Sequence, residues 1–169
     1  MKLNITKIQI TGIFLMLSTI LPLTNYAQGI VRTGNPASLI AGTAEIPAGY
    51  QYFFTSGFTA GAVNPELADG DYDKYGDTET QAEDILKKIK GMLEENGYTL
   101  KDVFSMKVFV GPDTKTGTHD FAGWNKAYKR YFGTEDNPNK PVRATVGIST
   151  LVNPHKFIEI EVIAAKKPE

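Results

Sequence analysis

Apolar residues along this chain follow two periods. Ala82, Ile85, Leu86, Ile89, Met92 and Leu93 recur at helical spacing and predict a helix over 79–95. Thr78 with Gln81 reads as its capping box, Asn96-Gly97 as its stop, and Lys87, Lys88, Glu94 and Glu95 as its solvated side. A second helix is predicted over 120–132, where Phe121, Trp124, Ala127, Tyr128, Tyr131 and Phe132 make an aromatic face. Helical spacing explains those rings as core or subunit contact without a stacked base.

Strands are predicted over 103–110, 142–148 and 157–164, and over 38–45 and 50–55 near the start, which read as a hairpin across Pro47 and Gly49. Residues 30–36 read as irregular and 61–76 as a loop, since Gly, Asp and Pro recur there. The order β-β-α-β-α-β-β, without internal repeats, predicts one α+β domain with both helices on one face of a mixed sheet. At least one crossover must be right-handed. The uncovered sheet face needs a partner, which points to homo-oligomerisation.

The first 27 residues read differently. Lys2 and Lys7 precede a mostly apolar run over 8–23, and Thr24-Asn25-Tyr26-Ala27 follows. This is the layout of a secretory signal peptide cleaved after Ala27, with a retained membrane anchor as the alternative. The expected domain is 28–169, exported to the periplasm or secreted, and off the membrane once the signal is removed. The 169 residues contain no cysteine, so disulfides, thiol nucleophiles and thiolate metal sites are excluded. His119 and His155 are far apart, which argues against a zinc site, and a net charge of -1 offers nothing to nucleic acid.

The candidate chemistry lies at the C-terminal end. Arg143 is the one cation of the 142–148 run, and Glu159 and Glu161 alternate with Ile158, Ile160 and Val162 in the last strand. The Asn153-Pro154 turn between the runs predicts that they return antiparallel, so that Arg143 and a glutamate share one pocket wall. An arginine grips a carboxylate through two parallel hydrogen bonds, and a glutamate can hold and deprotonate a water. The same spacing also fits an edge arginine and two solvated glutamates on an amphipathic strand.

Several segments together resemble the RidA (YjgF) family of reactive enamine/imine deaminases. They are Thr55-Ser56-Gly57, QAEDILKKIKGMLEENGYTLKDV, SMKVFV, GWNKAYKRYF, PVRATV at 141–146 and IEIEVIA at 158–164. The resemblance implies a chorismate-mutase-like α+β fold assembled as a homotrimer, with active sites in the clefts between subunits. It implies that Arg143 grips the substrate carboxylate and that Glu159 orients the attacking water. Ser56 and Gly57 match the pocket-lining segment, Thr145 stands where the family often has a small polar or thiol side chain, and Asn125 matches the asparagine of the second helix. Asn125 also reads as a surface or capping residue.

The sequence departs from the family at three places. No tyrosine follows Pro36, Gly147 replaces a common glutamate, and the 61–76 loop is longer and more acidic, a candidate lid or cleft rim. The implied ligand is a small imino acid or carboxylate, and the implied chemistry, deamination of a 2-aminoacrylate-like imine to a 2-keto acid and ammonia, needs no metal or organic cofactor. The rival reading is an exported trimer that binds a small carboxylate without turnover. A ribonuclease activity is disfavoured by the balanced charge.

Overall fold

The apolar run over 103–110 forms the middle of the sheet. In chain order the elements are β1 (Val31–Thr33), β2 (Thr43–Glu45), β3 (Gln51–Phe54), β4 (Phe58–Thr59), α1 (Tyr72–Tyr75), α2 (Thr78–Glu95), a 3-10 turn (Leu100–Asp102), β5 (Val103–Val110), α3 (Phe121–Tyr128), β6 (Val142–Gly147) and β7 (Ile158–Lys166). The computed structural model describes residues 29–168, so the expected signal peptide over 1–27 lies outside the described residues. The main sheet runs β3-β7-β5-β6, with β4 also on β7. β5 pairs with β6 in parallel through the crossover carrying α3, and with β7 antiparallel.

Alternation along these strands divides the sheet into two faces. Met106, Val108 and Val110 of β5 and Ile158, Ile160, Val162 and Ala164 of β7 are buried under the helices. Helix α2 supplies Ala82, Ile85, Leu86, Ile89 and Leu93, all fully buried, so the sequence stripe becomes one side of the core. α3 adds Trp124, Ala127 and Tyr128. The opposite face is bare: Phe54 is 67% exposed, Tyr52 48% and Val146 45%, around a Lys107–Glu161 ion pair of 2.7 Å.

The mixed α+β architecture, the two principal helices and the strand over 103–110 match the sequence reading. Other expectations are corrected. The 30–36 segment is not wholly irregular, because β1 lies there and takes β2 as its partner. The expected hairpin between 38–45 and 50–55 does not form, since β3 pairs with β7. Both initial strands are three residues long, too short for periodicity to show which partner each prefers. The second helix stops at Tyr128, giving way to turns before Gly133.

The N-cap of α2 is Asp77 rather than Thr78, its carboxylate accepting from the Thr80 N–H at 2.8 Å. Gln81 is thereby freed for another task. It is fully buried, its Nε2 donates to the carbonyls of Gly76 and His155 at 3.0 and 3.1 Å, and its Oε1 accepts from the buried N–H of Phe157 at 2.7 Å. One side chain thus ties α2, the end of the 61–76 segment and the entry to β7.

The 61–76 segment is itself ordered by local bonds. α1 sits inside it, Gly61 N–H donates to Asp84 at 2.7 Å, and Tyr72 donates to buried Asp113 at 2.7 Å while its ring packs 5.8 Å from Phe157. Burial and the Asp113 carboxylate push the Tyr72 hydroxyl well above the ordinary tyrosine range. It is a docked rim against the 111–118 turn.

The Gln81 tether generates a stability prediction. Gln81→Ala leaves the Phe157 N–H buried without a partner, a loss of about 3 kcal/mol. The melting midpoint should fall by roughly 6–12 °C. A shift under about 2 °C in a thermal melt would show that the tether is not needed.

Candidate active site

β6 is an edge strand, and Arg143 near its start stands beside α3. Arg143 pairs across the ladder with Met106, and Met106 pairs with Val162, so Arg143 leaves the sheet on the helix-covered face. There the guanidinium lies 4.5 Å from the centre of the Tyr128 ring and 5.3 Å from that of Trp124. Its Nη2 donates to Asn125 Oδ1 at 2.9 Å. Tyr128 is in turn fixed by donating its hydroxyl to the Leu39 carbonyl at 3.0 Å.

Burial lowers the Arg143 pKa from its ordinary value, with Tyr128 opposing, and pushes the Tyr128 hydroxyl up to about 12. A guanidinium keeps its charge even so. The aromatic faces and the Asn125 oxygen offset part of the cost of desolvating that charge. Arg143 Nη1 and Thr145 Oγ1 are both buried without a partner among the described residues, and Thr145, opposite Val108, lies on the same face. Unmet donors side by side create a demand for an acceptor such as a carboxylate.

Glu159 is built by a different device. β3 and β4 are one strand interrupted at Thr55-Ser56-Gly57, for Phe54 faces Ile163 and Phe58 faces Ile160. One extra residue on the β3–β4 side makes a bulge. The Thr55 side chain covers the gap, its Oγ1 accepting from Val162 N–H at 2.9 Å. At Gly57 a Cβ would fall inside the Glu159 carboxyl group. Glycine there is a matter of room, since Gly57 has no positive φ. Ser56, next to it in the chain, is exposed.

Glu159 and Glu161 share the bare face, as alternation predicts. Glu161 is committed to Lys107. Glu159 makes no ion pair among the described residues, which leaves its oxygens for a water or substrate.

The expected shared wall between Arg143 and Glu159 is corrected. β5 lies between β6 and β7, so the two strands are not neighbours. Arg143 is level with Met106 and Glu159 with Phe109, on opposite faces. Three residues along the ladder and two strands across put their Cα atoms about 14 Å apart. Within one chain the structure gathers Arg143, Asn125 and Thr145 on the helix-covered face, and sets Gly57, with Ser56 next to it in the chain, against Glu159 on the other. The sequence reading gave Trp124 and Tyr128 as core or subunit contact; they are core, and they also carry the guanidinium, which that reading missed. The only signal for this was Tyr128 three residues beyond Asn125 on the same helix.

A mixed sheet with two helices on one face defines a small α+β domain of the YjgF fold. The family model described as Endoribonuclease L-PSP matches residues 17–166, and the chain belongs to that family, the YjgF/RidA family. A RutC family protein of Pyrococcus horikoshii is 36% identical over 110 residues, covering 65% of this chain and 79% of that protein. The 2-iminobutanoate/2-iminopropanoate deaminase of Escherichia coli is 34% identical over 105 residues, covering 62% and 73%. Among solved structures, Escherichia coli TdcF with bound serine superposes with a TM-score of 0.52 at 27% identity, over 69% of this chain and 81% of that one. A Rid-family protein of Yersinia pestis shares the fold at a TM-score of 0.56 and 21% identity, over 74% and 85%.

Gly57→Ala tests the carboxyl packing. The added methyl meets only the tip of a flexible side chain, so the melting midpoint should stay within about 4 °C of the parent. A crystal structure should show Glu159 rotated off Gly57. A much larger loss of stability would mean that the carboxylate is locked where it lies.

Proposed function

We propose that this protein hydrolyses reactive enamine/imine intermediates of the 2-aminoacrylate type to 2-keto acids and ammonia, in a cleft made by two copies of the chain. The observation that carries the reading is the split site: a caged arginine with an unmet donor on one face, and an unpaired glutamate on the other. A second copy can bring its Glu159 half to the Arg143 half of the first. The bare aromatic face around Tyr52, Phe54 and Val146 supplies the apolar surface such an assembly needs, and a homotrimer is the assembly family membership supports. The predicted signal peptide supports placing this activity outside the cytosol.

The chemistry then follows from the two halves. Arg143 binds the substrate carboxylate, with Asn125 and Tyr128 fixing the plane of the fork. The enamine takes a proton at carbon and becomes the iminium form of the imine. Glu159 accepts a proton from a bound water as its oxygen attacks the C=N carbon, giving a carbinolamine. That proton is returned to nitrogen, ammonia leaves as the C2 hydroxyl gives up its proton to solvent, and the 2-keto acid remains. Holding carboxylate and water in register supplies much of the acceleration.

Ammonia release from freshly generated 2-aminoacrylate tests the reading. Arg143→Ala should abolish turnover, and Arg143→Lys should weaken substrate binding strongly because the planar fork is lost. Glu159→Gln should still bind but turn over on the order of a hundredfold more slowly, while Glu161→Gln costs far less. If the wild type releases no ammonia yet binds a small carboxylate through Arg143, the protein is a binding protein. Co-assembly of Arg143→Ala with Glu159→Gln chains should restore about a quarter of the activity, since random assembly makes that share of clefts intact. No restoration would place both residues of the working site in one chain.

A further inference from the structure

Gly147, where the family commonly has glutamate, marks a second feature of the Arg143 half. It is the last residue of β6 and faces Val110, so it lies on the same side of the sheet as Arg143 and Thr145. Its φ is not positive, so the glycine is there for room. A Cβ on Gly147 would stand 3.1 Å from Cδ2 and 3.2 Å from Nε2 of His119. The imidazole occupies the space that a side chain at 147 would claim.

His119 is held firmly in that place. Its Nε2 is 3.0 Å from the Ile148 carbonyl, and a carbonyl only accepts, so Nε2 carries a proton and donates it there. The ring stacks on Phe121 at 5.8 Å between centroids and 10° between planes. The backbone bridges to Pro112, and the turn in between is closed by buried Asp113, which accepts from the Lys115 N–H at 2.7 Å and from Tyr72 of the docked rim. The ring pair is nevertheless open to solvent: Phe121 is 40% exposed and His119 is exposed.

Its position relative to the guanidinium follows from α3. Phe121 and Asn125 are four residues apart on one helix face, about 6 Å along the axis. Asn125 holds Arg143, so the ring pair stands about one helical turn beyond the carboxylate grip, with Thr145 between them on β6. In a 2-imino acid the side chain leaves the reacting carbon away from the carboxylate. A side chain of phenylalanine size spans that turn, whereas a methyl or ethyl group stops short. A flat group meeting a stacked pair with a free face gains offset-stacking and edge contacts.

We infer, on the basis of the imine-hydrolase reading above, that His119 and Phe121 over Gly147 form a specificity wall that selects 2-imino acids with aromatic or other flat, unsaturated side chains. Two ratios test this. One is kcat/KM for the imine made by an amino-acid oxidase from phenylalanine over that from alanine. The other is the binding constant of phenylpyruvate over that of pyruvate by calorimetry. Both should favour the aromatic ligand in the wild type. His119→Ala, Phe121→Ala and Gly147→Glu should each lower both ratios by roughly fivefold or more, and His119→Phe should retain them. Ratios near one in the wild type, or unchanged within about twofold in variants that melt like the parent, overturn the inference. If no ammonia is released, the hydrolase reading fails and the binding ratio alone decides the wall.

Discussion

An arginine that cannot lose its proton has been placed at the edge of an otherwise apolar layer, and much of the α3 side of the molecule is arranged to hold it there. The guanidinium lies on Tyr128 and Trp124 and gives one nitrogen to Asn125. Those three residues sit at helical spacing on α3, so the helix that covers the sheet also positions the charge. Tyr128 serves both demands: its ring is fully buried core, and its hydroxyl is tied to Leu39. The cage is incomplete, because Nη1 and the neighbouring Thr145 hydroxyl find no partner among the described residues. A buried donor without an acceptor is the feature on which the proposed carboxylate site rests.

The same sheet imposes the second constraint. Because β5 separates β6 from β7, a residue on one and a residue on the other cannot meet unless they share a face, and Arg143 and Glu159 do not. On the proposed reading, Arg143 and Glu159 therefore act together only across an assembly. The bulge at Thr55-Ser56-Gly57 opens room over β7 for one carboxyl group, while the next glutamate on that face is spent on Lys107.

What could be read from the chain follows the range of each interaction. The α2 stripe was legible because 3.6-residue periodicity is local, and so was the alternation that put Glu159 and Glu161 together. The pairing of β6 and β7 was misjudged because a turn signal at Asn153-Pro154 suggests adjacency, and adjacency holds for only about two-thirds of sequential strands. The run over 103–110 is buried on one face and needs strand partners on both edges, which is why it takes the middle. Gln81 looked like a capping residue three positions after Thr78, yet Asp77 caps the helix and Gln81 turns inward to the Phe157 N–H. Gly147 stood out as a missing glutamate. What replaces that glutamate, His119, lies 28 positions upstream (147 − 119 = 28) and is brought back only by the α3 crossover.

The central claim is that Arg143 of one copy and Glu159 of the next converge on one ligand. A crystal structure of the assembled protein with bound pyruvate measures this directly. The account predicts the pyruvate carboxylate on the Arg143 fork of one chain and the C2 carbonyl facing Glu159 of the neighbouring chain. Pyruvate held without Arg143, or with Arg143 and Glu159 contributed by the same chain, would contradict it.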